Sequence, residues 1–271
     1  MSIQTKKFIY LSVPRTASRW TKQVIQEHCK RFPHDWGKLQ ELTAPAFKLS
    51  PNGKRSGHAI PYTRFDDKIR DPRFDKGKFT FCHIRHPMSW YRSHYMSRAG
   101  MTKGASPQKW SKWKGKKSKH AGDFEPTTHF DQTCGDDNFS KYIESVIKYR
   151  KSTPCNHRYG GFCSTVMEHY FTHCCDFVGK YENLEEDLIT AFNMAEAMPY
   201  GEEKSIPEYW EALDIVNHTQ PRNNYSQKEL PVEHYYENAL YTQQQAEQIM
   251  ELDKEYVLKY DYDYIMKELV K

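Results

Sequence analysis

Phe8-Ile9-Tyr10-Leu11-Ser12-Val13-Pro14-Arg15-Thr16-Ala17-Ser18-Arg19-Trp20 is the segment from which the architecture is read. Its first six residues are an apolar run of strand length, closed by Pro14. Beyond Ser18, the residues Trp20, Val24, Ile25 and Cys29 share one side of a helix. A strand, a tight loop and a helix in that order make an anion site. Backbone N–H groups at the helix start, together with the helix macrodipole, favour a phosphate or sulfate there. Thr16 and Ser18 add hydroxyl donors, and Arg15 and Arg19 add charge and bidentate donors. Taken alone, Ser and Thr at a helix start are equally ordinary caps. The segment has no G-x-x-x-x-G-K-[ST] pattern and no lysine at the crucial place, which weighs against an ATPase or GTPase.

A second junction of the same kind follows. Phe79-Thr80-Phe81-Cys82-His83-Ile84 runs into Arg85-His86-Pro87-Met88-Ser89-Trp90-Tyr91-Arg92-Ser93-His94-Tyr95. Pro87 suits the first turn of a helix, so Arg85 ends a buried strand and Ser93 lies about two turns along. By itself this reads equally as a surface arginine and an exposed serine. A third strand is expected over 175–181. Asn138 is a fitting N-cap for a helix that buries Phe139, Tyr142, Ile143, Val146 and Ile147. Another helix is expected after Asn183, with Glu185, Glu186 and Asp187 in its first turn and Leu184, Leu188, Ile189 and Phe192 inward. A further one opens at Thr242, with Gln245 completing a capping box, and carries Ala246, Ile249, Met250 and Val257. Strands alternating with helices predict an α/β fold, a central and mostly parallel sheet flanked by helices, in one domain spanning 1–271. Residues 100–137, polar and rich in Gly and Lys, read as a long loop or insertion.

With 271 residues, 38% of them hydrophobic and 28% charged, the composition is that of a globular chain. No apolar run approaches the roughly 18 residues of a membrane helix, and the run after Lys7 is too short for a signal-peptide core. Seven cysteines, an odd number without zinc-ligand spacing, are expected to be reduced thiols in a cytoplasmic protein. The net charge of +5 is local, because seven lysines lie between positions 103 and 119 with Trp110 and Trp113 among them. The segment is a solvated basic loop or a binding element. A nucleic-acid-binding module would explain it, but not the two anion junctions, and no helix-turn-helix, zinc finger or RNA-binding signature is present.

The two junctions together resemble a particular family. Val13-Pro14-Arg15-Thr16-Ala17-Ser18-Arg19-Trp20 resembles the 5′-phosphosulfate loop of the sulfotransferases that use 3′-phosphoadenosine 5′-phosphosulfate (PAPS). Ile84-Arg85-His86-Pro87-Met88-Ser89-Trp90-Tyr91-Arg92-Ser93 resembles their 3′-phosphate motif, R-x-P followed by a helix carrying Ser. The order agrees, as does the separation of 70 residues between Arg15 and Arg85. Val178-Gly179-Lys180-Tyr181-Glu182-Asn183-Leu184-Glu185-Glu186-Asp187-Leu188 is similar to the family's strand-to-helix segment, and residues 256–264 to its aromatic, acidic C-terminus.

The resemblance implies a P-loop-like fold and transfer of the sulfuryl group of PAPS, the co-substrate, to a hydroxyl or amine without a metal. Arg15 then stands where most members have lysine, facing the bridging oxygen; members acting on protein tyrosines have arginine there. Thr16, Ala17, Ser18 and Arg19 would wrap the 5′-phosphate, with Ala17 replacing the common glycine. Trp20 would stack on adenine or, equally, pack in the core. Arg85 and Ser93 would hold the 3′-phosphate, and Arg222 would belong to a late basic loop closing on the nucleotide. His58 is the first candidate for the base and Glu41 the second. The acceptor is a small molecule, a glycan or a protein, with residues 100–137 near it and the lysines of 103–119 suited to an acidic glycan. Neither nucleic acid nor membrane is implied as a partner, and the oligomeric state stays open. The alternative is an inactive protein of the same fold that binds a nucleotide or phosphorylated ligand; a P-loop kinase is disfavoured by the missing lysine.

Overall fold

Thr5 turns the chain before the apolar run begins. Its Oγ1 accepts hydrogen bonds from the backbone N–H of Lys7 (3.2 Å) and Phe8 (3.1 Å), folding β1 (Ser2–Gln4) against β2 (Phe8–Leu11) as an antiparallel pair with Ile3 opposite Tyr10. In the computed structural model the described residues are 2–42, 78–98, 133–152, 161–169, 172, 175–197 and 239–271. After β2 come α1 (Ser18–Arg31), α2 (Pro33–Trp36), β3 (Gln40–Leu42), β4 (Phe79–Ile84), α3 (Pro87–Arg98), α4 (Phe139–Ser152), α5 (Phe162–His169), β5 (Phe177–Lys180), α6 (Leu184–Ala197), α7 (Gln243–Leu252) and α8 (Lys254–Lys259).

The strands form one sheet in the order β3-β1-β2-β4-β5. β2, β4 and β5 are parallel, as expected of strands joined through helices. β1 is antiparallel to both β2 and β3, so the sheet is mixed rather than mostly parallel. The two additional strands have three residues each and too little alternation to announce themselves.

The chain divides into two compact units, each made of two stretches. The first, Met1–Arg85 with Met167–Arg222, holds the sheet. Alternation along β2 and β4 turns Phe8, Tyr10, Phe79 and Phe81 to one face, where α1 contributes Trp20, Val24, Ile25 and Cys29, and α6 contributes Leu188, Ile189, Ala191, Phe192 and Ala195. Phe8 meets Phe81 edge-on at 5.2 Å between ring centroids and stacks on Phe192 at 5.8 Å. Ile9, Leu11, Thr80, Cys82 and Ile84, of the opposite register, are buried as well, which explains why these strands read as unbroken apolar runs. Lys7 enters this interior paired with Glu196 at 3.1 Å.

The second unit, His86–Val166 with Asn223–Lys271, is helical in its described parts. Pro87 opens α3, and the His86 ring lies beneath that opening: Nδ1 accepts from the Met88 N–H (3.2 Å), which leaves Nε2 to donate to the Tyr264 carbonyl (2.9 Å). Asn138 caps α4 by accepting from the Lys141 N–H at 3.1 Å, and Thr242 with Gln245 forms the capping box of α7. The helix expected to run on through Val257 stops at Leu252, and Val257 lies on α8. Asp253 causes the break. Its carboxylate is buried and accepts from the Ser164 N–H (2.9 Å), the Ser164 hydroxyl (2.6 Å) and the Tyr91 hydroxyl (3.0 Å), so the residue leaves helical geometry to cap α5. Of the 100–137 span, residues 100–132 lie outside the described residues; at its end the Tyr95 hydroxyl donates to the Asp137 carbonyl at 2.7 Å.

Candidate anion site at the carboxyl edge of the sheet

Because β2, β4 and β5 run parallel, the segments that follow them emerge at one edge of the sheet, the position where open α/β sheets bind ligands. The loop after β2 is held by its own chain. The Thr16 hydroxyl donates to the Val13 carbonyl at 3.0 Å, and its side chain is fully buried. On either side of Thr16, Arg15 (φ 70°) and Ala17 (φ 56°) adopt left-handed backbone conformations. Such conformations cost a side-chain-bearing residue about 1 kcal/mol or more. A glycine would meet this geometry without strain at position 17.

Helix α1 starts from this loop with an unusual charge pattern. Ala17, its N-cap, offers no side-chain hydrogen bond, and the first turn contains no acid but does contain the exposed Arg19. Helix starts ordinarily gather acidic residues, as α6 does with Glu185, Glu186 and Asp187. Arg15 and Arg19 add positive charge at the positive pole of the helix, a pattern that suits an anion there.

Arg85 joins the site from the end of β4. Its Nη1 donates to the Arg15 carbonyl at 3.1 Å, and its Cζ lies 3.8 Å from the centroid of the Tyr181 ring, the first residue after β5. One guanidinium thus links the ends of all three parallel strands. Lys180, the last residue of β5, has its N–H bound to the Asp187 carboxylate. Burial raises the pKa of that carboxyl, opposed by this hydrogen bond and by the Lys180 charge.

The residues singled out from the sequence divide among these places. Arg15, Ala17, Ser18, Arg19 and Arg85 lie at the edge, whereas Thr16 turns its hydroxyl inward and offers its backbone there. Trp20 is only 7% exposed and belongs to the core between α1 and the sheet, the packing role of the two considered for it. Ser93 is half-buried in the second turn of α3, in the other compact unit. The backbone of Glu41 pairs with Ile3 in β3, the edge strand two places from β2. His58, Arg222 and the lysines of 103–119 lie outside the described residues. Sequence reasoning did not select Tyr181. Its signal was available, since it directly follows the third parallel strand within the segment already set apart.

His83 precedes Arg85 by two residues but points into the interior. Its ring lies 5.9 Å from that of Tyr10, and neither ring nitrogen has a hydrogen-bond partner among the described residues. Burial lowers its pKa to about 3 and pushes the Tyr10 phenol above its ordinary value. His83 is therefore neutral at physiological pH and too weakly basic to serve as a proton acceptor in the site.

No family model matches the chain, and neither a curated protein nor a solved structure matches it. Among the described residues no group of three or more His, Cys, Asp or Glu side chains could hold a metal ion, and no helix is long and apolar enough to cross a membrane. Cys29, Cys82, Cys134, Cys163 and Cys175 are free thiols.

Proposed function

We propose that the protein is a sulfotransferase that moves the sulfuryl group of PAPS to a hydroxyl or amine acceptor. The observation that carries this reading is the acid-free start of α1, flanked by Arg15 and Arg19, with Arg85 bonded to the same loop. That arrangement suits an anion of high charge at a helix N-terminus. The resemblance of the two junctions to the family's phosphate motifs chooses the nucleotide.

In the transfer, an acceptor oxygen or nitrogen attacks sulfur in line with the bond to the 5′-phosphate oxygen. That S–O bond breaks, its electron pair remains on the phosphate of 3′-phosphoadenosine 5′-phosphate, and the acceptor proton passes to a base. The transition state of such a displacement is loose, so charge gathers on the leaving phosphate, as in phosphoryl transfer. The N–H groups of the α1 start and the guanidinium of Arg15 would stabilise that charge. Arginine keeps its proton, so Arg15 acts by charge and hydrogen bonding and not as an acid. Arg85 and Ser93 are assigned to the 3′-phosphate, Arg222 to the late closing loop, and His58, with Glu41 second, to the base. A cytoplasmic location belongs to the same reading. The lysines of 103–119 are assigned to an acidic acceptor such as a glycan; acceptor affinity should then fall steeply with added salt, and a flat dependence would remove that assignment.

The test is turnover of labelled PAPS with phenolic, sugar and amine acceptors. Product and 3′-phosphoadenosine 5′-phosphate should form in equal amounts, and His58→Ala should lower the rate about a hundredfold or more while nucleotide binding persists. Retained turnover in His58→Ala would move the base to Glu41. Tight nucleotide binding without turnover for any acceptor would favour the inactive binding protein instead.

A further inference from the structure

Tyr181 is not among the core residues of its unit, and its half-buried ring lies on a short 3-10 turn, Tyr181–Asn183. Hydrophobic packing therefore does not account for where it stands. What the ring does touch is Arg85, whose Cζ is 3.8 Å from the ring centroid. The same guanidinium donates to the Arg15 carbonyl at 3.1 Å. A guanidinium on an aromatic face is attracted to it, while its N–H donors remain directed along its own plane. Stacking thus fixes the plane in which Arg85 can make a bidentate bond without consuming donors.

We infer that Tyr181 is a positioning residue for the 3′-phosphate of the nucleotide: it holds Arg85 in the plane that receives that phosphate, and through the Arg15 carbonyl ties the 3′-phosphate ligand to the loop that holds the 5′ end. This rests on the PAPS reading above. Arg85 would otherwise carry a long, rotamer-rich side chain whose ordering must be supplied on binding. With the ring beneath it, the side chain is ordered before the nucleotide arrives. The ring, not the phenol oxygen, is the working part, so phenylalanine should serve in its place.

The experiment compares 3′-phosphoadenosine 5′-phosphate with adenosine 5′-phosphate by calorimetric titration of the full chain, in native protein, Tyr181→Phe and Tyr181→Leu. The two nucleotides differ only in the 3′-phosphate, so the ratio of their affinities isolates that group. The native protein should prefer the bisphosphate, Tyr181→Phe should keep the ratio within about twofold, and Tyr181→Leu should reduce it about tenfold with adenosine 5′-phosphate binding unchanged. An unchanged ratio in Tyr181→Leu overturns the inference and leaves the PAPS reading standing. Equal losses for both nucleotides also overturn it, because Tyr181 would then contact the part they share. A native protein that does not distinguish the two nucleotides defeats the PAPS reading, and the inference with it. Circular dichroism checks that each variant is folded; if Tyr181→Leu is not, Tyr181→Gln, which also lacks the ring, gives the same ratio.

Discussion

Ala17 and Gly179 show what single residues contribute at the edge of the sheet. Ala17 holds a left-handed conformation at φ 56°, so Ala17→Gly should stabilise the fold by about 0.5 kcal/mol, the relief of strain exceeding glycine's added entropy loss. Urea unfolding measures this, and a loss of stability would mean that the loop is not left-handed in solution. Gly179 has the opposite problem. A Cβ there would meet His83 Cδ2 at 2.7 Å and Asp187 Cβ at 2.9 Å, and His83 lies directly across the strand pair from it. Gly179→Ala should cost about 1–3 kcal/mol through overpacking, read in the same unfolding experiment. The placement of Arg15, Arg19 and Arg85 after the ends of the strands was legible in the sequence, because each follows an apolar run of strand length. The left-handed backbone at Arg15 was not, since arginine carries no signal for it. Nor was the choice of Trp20 for the core, because a tryptophan at that helical position packs or stacks equally well until the helix is seen against its sheet.

Helices and strands with local signals came through with their boundaries nearly intact. The β4 run is apolar throughout, Asn138 and Thr242 cap the helices they precede, and Pro87 stands at the opening of α3. The failures have one cause, which is structure enforced by distant residues. β1 and β3 exist because each finds a neighbour, and α7 ends at Leu252 because the Asp253 carboxylate is engaged by Ser164 and Tyr91. Removing that carboxylate strands the Ser164 N–H and the Tyr91 hydroxyl, whereas the Ser164 hydroxyl keeps the Gly161 carbonyl as acceptor, so Asp253→Ala should destabilise the second unit by about 2 kcal/mol or more. Thermal unfolding checks it, and a loss below about 1 kcal/mol would make the contacts incidental. In the first unit Glu196→Ala should cost about 3–5 kcal/mol, because the Lys7 ammonium, 11% exposed in its side chain, would be left buried without its carboxylate.

The molecule as a whole should be sensitive to acid through two buried histidines. Burial, with the Arg31 charge as a lesser cause, lowers His28 to about 4, and burial alone lowers His83 to about 3. Both native pKa values lie below the ordinary value of 6.5, so between that pH and about 4 the unfolded chain binds protons that the native chain refuses. Stability contributed by the two neutral rings is intact above pH 6.5 and declines as the pH falls, by about 1.4 kcal/mol per pH unit for each ring. His83→Leu should flatten that decline by one proton; an unchanged slope would show that His83 titrates alike in both states. The α/β class was legible from the alternation of strands and helices, while the division into two units and the antiparallel edge depend on pairings that join distant parts of the chain. Binding of the PAPS nucleotide at the edge shared by β2, β4 and β5, as proposed, is tested most directly by calorimetric titration of native protein and Arg85→Ala with 3′-phosphoadenosine 5′-phosphate, with ATP as the comparison ligand. Selective binding that is lost in Arg85→Ala is the predicted result; no binding, or equal binding of ATP, would contradict the account.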